Sequence, residues 1–156
     1  MTAVRRADER DHEEIVRLRS LMYDSMNQSD APASDWREAA SRLLRVELAS
    51  PEPHLVVYVI DGTDGLAACA TGFREQRLPS PTNPSGLMGH ISNVYTDHGY
   101  RRRGHARACT VALLEWFADQ GVTRVNLRAS AEAEPLYRSL GFERTGDPAM
   151  RLNLAP

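Results

Sequence analysis

The sequence has no lysine; all nineteen of its basic residues are arginine. That skew reads as a bias of codon usage and not as a device for binding. With 21 acidic residues alongside, the formal net charge is −2, which excludes a chain-wide pull toward nucleic acid or an anionic membrane. Cysteine is nearly absent too. Cys69 and Cys109 stand far apart in mostly apolar stretches, too few for a disulfide framework or a thiolate metal cluster, as in a reducing cytoplasm. No apolar run approaches the roughly 20 residues of a membrane helix. Met1 to Asp11 is polar, with no apolar signal core behind it. These absences together point to a soluble cytoplasmic protein with no metal, no nucleic-acid partner and no membrane partner.

What is present is one domain's worth of alternating patterns. The 156 residues show no repeat, linker or charge block, and residues 1–156 read as a single domain. Thr2 to Arg6 is a short strand. Ile15, Leu18, Leu21 and Met22 recur at helical spacing, giving a helix to about Met26. Asn27 to Ser34, with Pro32, is a loop. A second helix starts near Ser34 or Asp35, natural N-caps, and stops at Pro51. His54–Ile60 and Leu66–Phe73 read as a hairpin around Asp61-Gly62-Thr63-Asp64-Gly65. Leu78 to Gly86, with three prolines, is an exposed loop. Met88–Tyr95 is a strand, Arg103–Gln120 a strong helix ended by Gly121, and Val122–Leu127 a strand. Glu132–Leu140 is a short helix closed by Gly141, and Ala149–Leu154 a last strand. The order β-α-α-β-β-β-α-β-α-β predicts an α/β fold of the α+β type, with a mixed, largely antiparallel central sheet flanked by helices.

One turn in that order can hold an anion. Arg101-Arg102-Arg103-Gly104-His105-Ala106 follows a strand and opens the strongest helix. The first N–H groups of a helix have no intrahelical partner, and the helix dipole places partial positive charge there. Gly104 and Ala106 keep side chains out of the way, and Arg101, Arg102, Arg103 and Arg107 add charge. The sequence lacks the Gly-Lys-Ser/Thr of a P-loop and the G-x-G-x-x-G of a dinucleotide fold. The pattern alone is common, and an Arg-rich, solvated helix start is its bland alternative.

Context sharpens it. The stretch Asn93-Val94-Tyr95-Thr96-Asp97-His98-Gly99-Tyr100 followed by the arginine loop and Arg107 resembles the central cofactor motif of the GNAT acetyltransferases. Leu136-Tyr137-Arg138-Ser139-Leu140-Gly141-Phe142 resembles that family's second signature. One helix and one strand lie between the two, and the element order matches, so the resemblance covers nearly the whole chain.

The resemblance implies an acetyl-CoA-dependent N-acetyltransferase, with acetyl-CoA as acetyl donor held in a splay between two parallel strands. The backbones of Val94, Tyr95 and Thr96 would pair with the pantetheine arm. N–H groups from Arg102 to Arg107, His105 and Ala106 among them, would hold the pyrophosphate. Ser130 stands where relatives place an Asn on the pantetheine. Tyr137 would protonate the leaving thiolate, and the Val94 N–H would polarise the carbonyl. Where many relatives carry a Glu base this chain has His90, able to accept a proton near neutrality. At the alternative Glu position on the following strand it has Asn126. His90 is thus read as the base, directly or through water, against a plain strand-end residue. Trp116, Phe117 and Cys109 are read as packing residues.

The amine acceptor would meet Met22 to Asp35, with Tyr23, Asp24, Asp30 and Asp35, and the stiff loop within Gln76 to Gly89. A small-molecule amine fits that frame better than a protein tail, and a homodimer is admissible. The rival readings are a protein or peptide acetyltransferase, a silent acetyl-CoA sensor and a general nucleotide binder.

Overall fold

The computed structural model describes residues 3–26 and 36–155. Strands β1 (Val4–Arg6), β2 (Leu55–Asp61), β3 (Leu66–Gln76) and β4 (Leu87–Thr96) pair antiparallel in chain order. β5 (Val125–Leu127) adds in parallel to β4 and ends the sheet. Helices α1 (His12–Ser25) and α2 (Trp36–Ala49) cover one face, α3 (His105–Asp119) covers the other, and α4 (Glu134–Ser139) follows β5. This is the mixed, largely antiparallel sheet that the sequence predicts. No helix among the described residues is long and apolar enough to cross a membrane.

The two faces follow from the period of two along a strand. On β2 and β3, Val56, Ile60, Ala68 and Ala70 pack with Leu113, Trp116 and Phe117 of α3. Val57, Val59 and Cys69 point the other way, into Ile15, Leu18 and Leu44. Trp116 and Phe117 are thus core residues, as expected. Phe117 presses its ring onto bare backbone: a Cβ built on Gly72 or Gly89 would lie 2.9 or 2.8 Å from that ring.

Both long-range helix ends close with the same device. Gly121 and Gly141 adopt left-handed φ of 78° and 97°. After α3, Gly121 N–H donates to Ala118 and Val122 N–H to Phe117; after α4, Gly141 donates to Arg138 and Phe142 to Tyr137. These are Schellman caps. The first one corrects a boundary, because Val122 belongs to the helix cap and the strand begins only at Val125.

The expected last strand, Ala149–Leu154, does not form: residues 149–155 have no strand structure and lie exposed. Alternation specifies which side chains a strand would bury, but it supplies no neighbouring backbone to bond. The loop Asn27–Ser34 and the caps expected at Ser34 or Asp35 lie outside the described residues.

Replacing Gly89 by Ala drives a methyl into the Phe117 ring. We expect a loss of about 1–3 kcal/mol in stability, read as a lower urea midpoint at unchanged slope.

Candidate active site

The site begins with a misfit in β4. Its register with β3 pairs Ser92 with Thr71 and Tyr95 with Cys69, so β4 carries one residue more across that step. The surplus is a bulge at Asn93, whose φ is 52°. Arg19 on α1 donates to the Asn93 side chain at 3.2 Å, and the Cys69 thiol donates to its carbonyl at 3.5 Å. On its other side β4 pairs with β5 only over Gly89–Ile91. Beyond Ile91 the two strands part, and Val94, Tyr95 and Thr96 line open space instead of a neighbouring strand.

That space is a cavity of about 700 Å³. It runs from Val94, Tyr95 and Thr96 to Arg101, Arg102, Gly104, His105, Ala106 and Arg107 at the start of α3, and is closed by Ser130, Ala133 and Leu136. Of the residues expected around the anion, Arg103 alone is turned away from it, with its guanidinium 5.6 Å from the centre of the Tyr100 ring.

The loop earns its anion chemistry from its backbone. Arg102 and Gly104 both have left-handed φ, 65° and 78°. Such reversals beside a helix start turn successive N–H groups toward one point. Open space faces Gly104, where a Cβ would meet nothing within 4 Å. Gly104 is the N-cap and offers no side-chain acceptor to the first N–H groups. Arg101 is steadied by the Thr96 carbonyl and the Tyr95 hydroxyl, each at 3.2 Å. Arg107 donates to Ser139 at 2.6 Å, tying α3 to α4. His105 is buried and its Nδ1 has no protein partner. Burial first, and then the Arg103 charge, hold its pKa below the usual value, so the ring is neutral at physiological pH.

Tyr137 lines a second cavity, of about 310 Å³, between β5 and residues 142–145. Its chain neighbours Ala133 and Leu136 line the first. The ring is buried, with Phe142 edge-on at 5.9 Å, and burial raises its pKa. The hydroxyl is therefore protonated at neutrality. His90 lines neither cavity. It lies beside Asn126 on β5 and opposite Phe73 on β3. Its ring stacks on Phe73 at 5.0 Å, and its Nε2 sits 2.9 Å from Glu75, which Arg77 also holds at 3.0 Å. The Glu75 carboxylate is pushed below its ordinary pKa by His90 first and Arg77 second.

The acceptor residues divide. Tyr23 packs edge-on against Trp36 at 5.8 Å, and Met26 and Ser25 line the large cavity. Asp30 and Asp35 lie outside the described residues. The loop over Gln76 to Gly89 is stiff: Ser80 and Asn83 exchange backbone hydrogen bonds, and buried Asn83 donates to the Leu87 carbonyl at 3.0 Å.

A family model described as the acetyltransferase (GNAT) family matches residues 15–142. The chain belongs to that family. A glucosamine 6-phosphate N-acetyltransferase of Trypanosoma brucei brucei is 36% identical over 76 residues, 49% of this chain and 51% of that protein. The chain thus matches about half the length of this curated relative. A crystal structure of a predicted acetyltransferase with acetyl-CoA from Clostridium acetobutylicum is 25% identical, with a TM-score of 0.82 over 98% of this chain and 96% of that one. A glucosamine-6-phosphate N-acetyltransferase from Arabidopsis thaliana shares the fold at 18% identity and a TM-score of 0.72, covering 97% and 98%.

Within this GNAT domain, sequence reasoning missed Asn93, Arg19 and the Glu75 partner of His90. Asn, the non-glycine residue that most readily takes left-handed φ, was the available signal for the first. The other two come from strands and helices far apart in the chain.

Cys69 and Cys109 are both buried, and burial pushes both thiols up to about 12. Native protein at about pH 8 should therefore release no colour with a disulfide reagent over minutes, whereas denatured protein shows both thiols. A fast-reacting native thiol would restore an activated Cys109 at the start of α3.

Proposed function

We propose that this chain is an acetyl-CoA-dependent N-acetyltransferase that acetylates the primary amine of a small molecule. It acts by direct attack in a ternary complex, in the cytoplasm and as a homodimer. The observation that carries this reading is the single cavity shared by the β4 edge past the bulge, the N–H groups of the arginine loop and Ser130. A donor with a diphosphate and an amide-bearing arm needs an anion cradle and a free strand edge in one groove. Gly104 without a Cβ, the unsatisfied helix start and the orphaned His105 nitrogen fit that need.

On this reading the neutral amine forms the C–N bond at the thioester carbonyl. The Val94 N–H, freed from the β3 ladder by the bulge, stabilises the oxyanion. His90, oriented by Glu75, takes the amine proton directly or through water. As the C–S bond breaks, Tyr137 gives its proton to the thiolate. The small acceptor is supported by the amino-sugar phosphate named for the Trypanosoma relative and by the rigid loop around Asn83, which leaves little room to lay down a peptide.

A panel of amines, amino sugars and peptides with acetyl-CoA, followed by thiol release, tests the reading. Turnover on a small amine is expected. Release with peptides alone would sink the acceptor class, and tight CoA binding with no release on any amine would sink the enzyme. Tyr137→Phe should lower kcat by about 10²–10⁴-fold while leaving CoA affinity nearly unchanged. A base must be unprotonated, so activity through His90 falls as pH drops. His90→Ala should flatten that acid limb, and an unaltered pH–rate profile would remove it as base.

A further inference from the structure

Three features around β5 fit one another and nothing in the monomer joins them. β5 is the edge of the sheet, and among the described residues no backbone hydrogen bond crosses its outer side. Facing that edge is the second cavity, walled opposite by Phe142–Thr145. The wall is held off by Arg144, which donates twice to Glu134 at 2.7 and 2.8 Å. Its own backbone also lacks partners beyond Phe142. The third feature is the segment Ala149–Ala155. Met150, Leu152 and Leu154, spaced by two, are 89%, 83% and 83% exposed, with Arg151 and Asn153 between them. That is a strand with one apolar face and no sheet.

We propose that residues 149–155 of one copy enter this slot on a second copy as an added strand beside β5, and that the exchange is reciprocal. The proposal gives the dimer in the functional reading its interface and does not depend on the acceptor. The occupant is the chain's own segment because its apolar spacing and lack of backbone partners answer an edge with the same lack. Slot and segment on each copy also make the contact isologous and closed, leaving no edge for further growth.

The connection favours a second copy over the same one. A tight return through Gly146 and Asp147 would place Pro148 where the closing N–H must donate, and proline has none. Proline also pushes Asp147 toward extended backbone, away from the turn conformation. The chain therefore leaves Thr145 outward. Tyr137 lines the slot, so the incoming strand from the partner walls the proposed acid and completes the site.

Light scattering and sedimentation of the full chain should show a dimer, with the Val125–Leu127 amides protected from hydrogen exchange. Leu152→Pro should raise the dimer dissociation constant at least about tenfold and expose those amides, because a central-strand proline removes a ladder bond. Leu152→Asp, burying a charge, should act alike. Leu152 is outside the core, so circular dichroism should report an intact fold for both. Pro148→Gly should increase the monomer fraction while keeping β5 protected, since the segment can then fold back. A wild-type monomer overturns the exchange, whether β5 is protected by its own segment or open. So does a dimer indifferent to both Leu152 changes. A monomer that still releases thiol with an amine leaves the acetyltransferase reading intact. A dimer disrupted by both Leu152 changes that releases none with any amine supports the exchange and sinks that reading.

Discussion

One surplus residue in β4 sets the geometry of everything else at the site. Because Ser92 and Tyr95 answer to Thr71 and Cys69, the backbone at Asn93 cannot stay in the ladder with β3. The left-handed φ it adopts costs a non-glycine residue on the order of 1 kcal/mol. Arg19 offsets part of that cost by bonding its side chain. In return β4 turns away from β5 after Ile91, and a strand edge is exposed inside the protein, next to a helix start. Without the bulge β4 and β5 could go on pairing, and the cavity would close.

The helix start is placed by charge pairing behind it. Asp97, directly after β4, accepts from Arg17 of α1 at 3.1 Å, and Arg17 also binds Glu14 at 2.7 Å. Glu14 in turn accepts the Leu66 N–H at 2.8 Å. α1, the start of β3 and the end of β4 are thus pinned at one point, from which the arginine loop departs. Tyr100 anchors the far side through its hydroxyl, 2.8 Å from the Thr63 N–H. Isolated pairs this exposed contribute little stability; their effect here is positional.

Much of this was legible because it is periodic or local. The Val-rich alternation of β2, the helical spacing of Ile15 and Leu18, and the glycines that close α3 and α4 each follow from one residue's near neighbours. The arginine loop was legible as an anion site for the same reason. The splay was not, because a bulge is a mismatch between two strands and neither carries it alone. The Glu75–His90 contact was hidden likewise, since it needs the β3–β4 register. The segment 149–155 misled in an instructive way: its alternation is real, but a strand exists only where another backbone receives it.

α4 shows how the donor loop and the proposed acid are made one mechanical piece. A helix of six residues cannot hold itself in water. Its position is imposed from three sides. Arg107, from the anion loop's own helix, donates to Ser139. Phe142 folds back on the Tyr137 carbonyl and ring. Arg144 and Arg138 converge on Glu134 and hold its pKa down at about 2, so the carboxylate stays ionised throughout the neutral range. An anion that draws Arg107 toward the loop therefore competes with Ser139 for the same guanidinium. Occupancy of the cradle is thereby felt at the other end of α4, where Tyr137 is held.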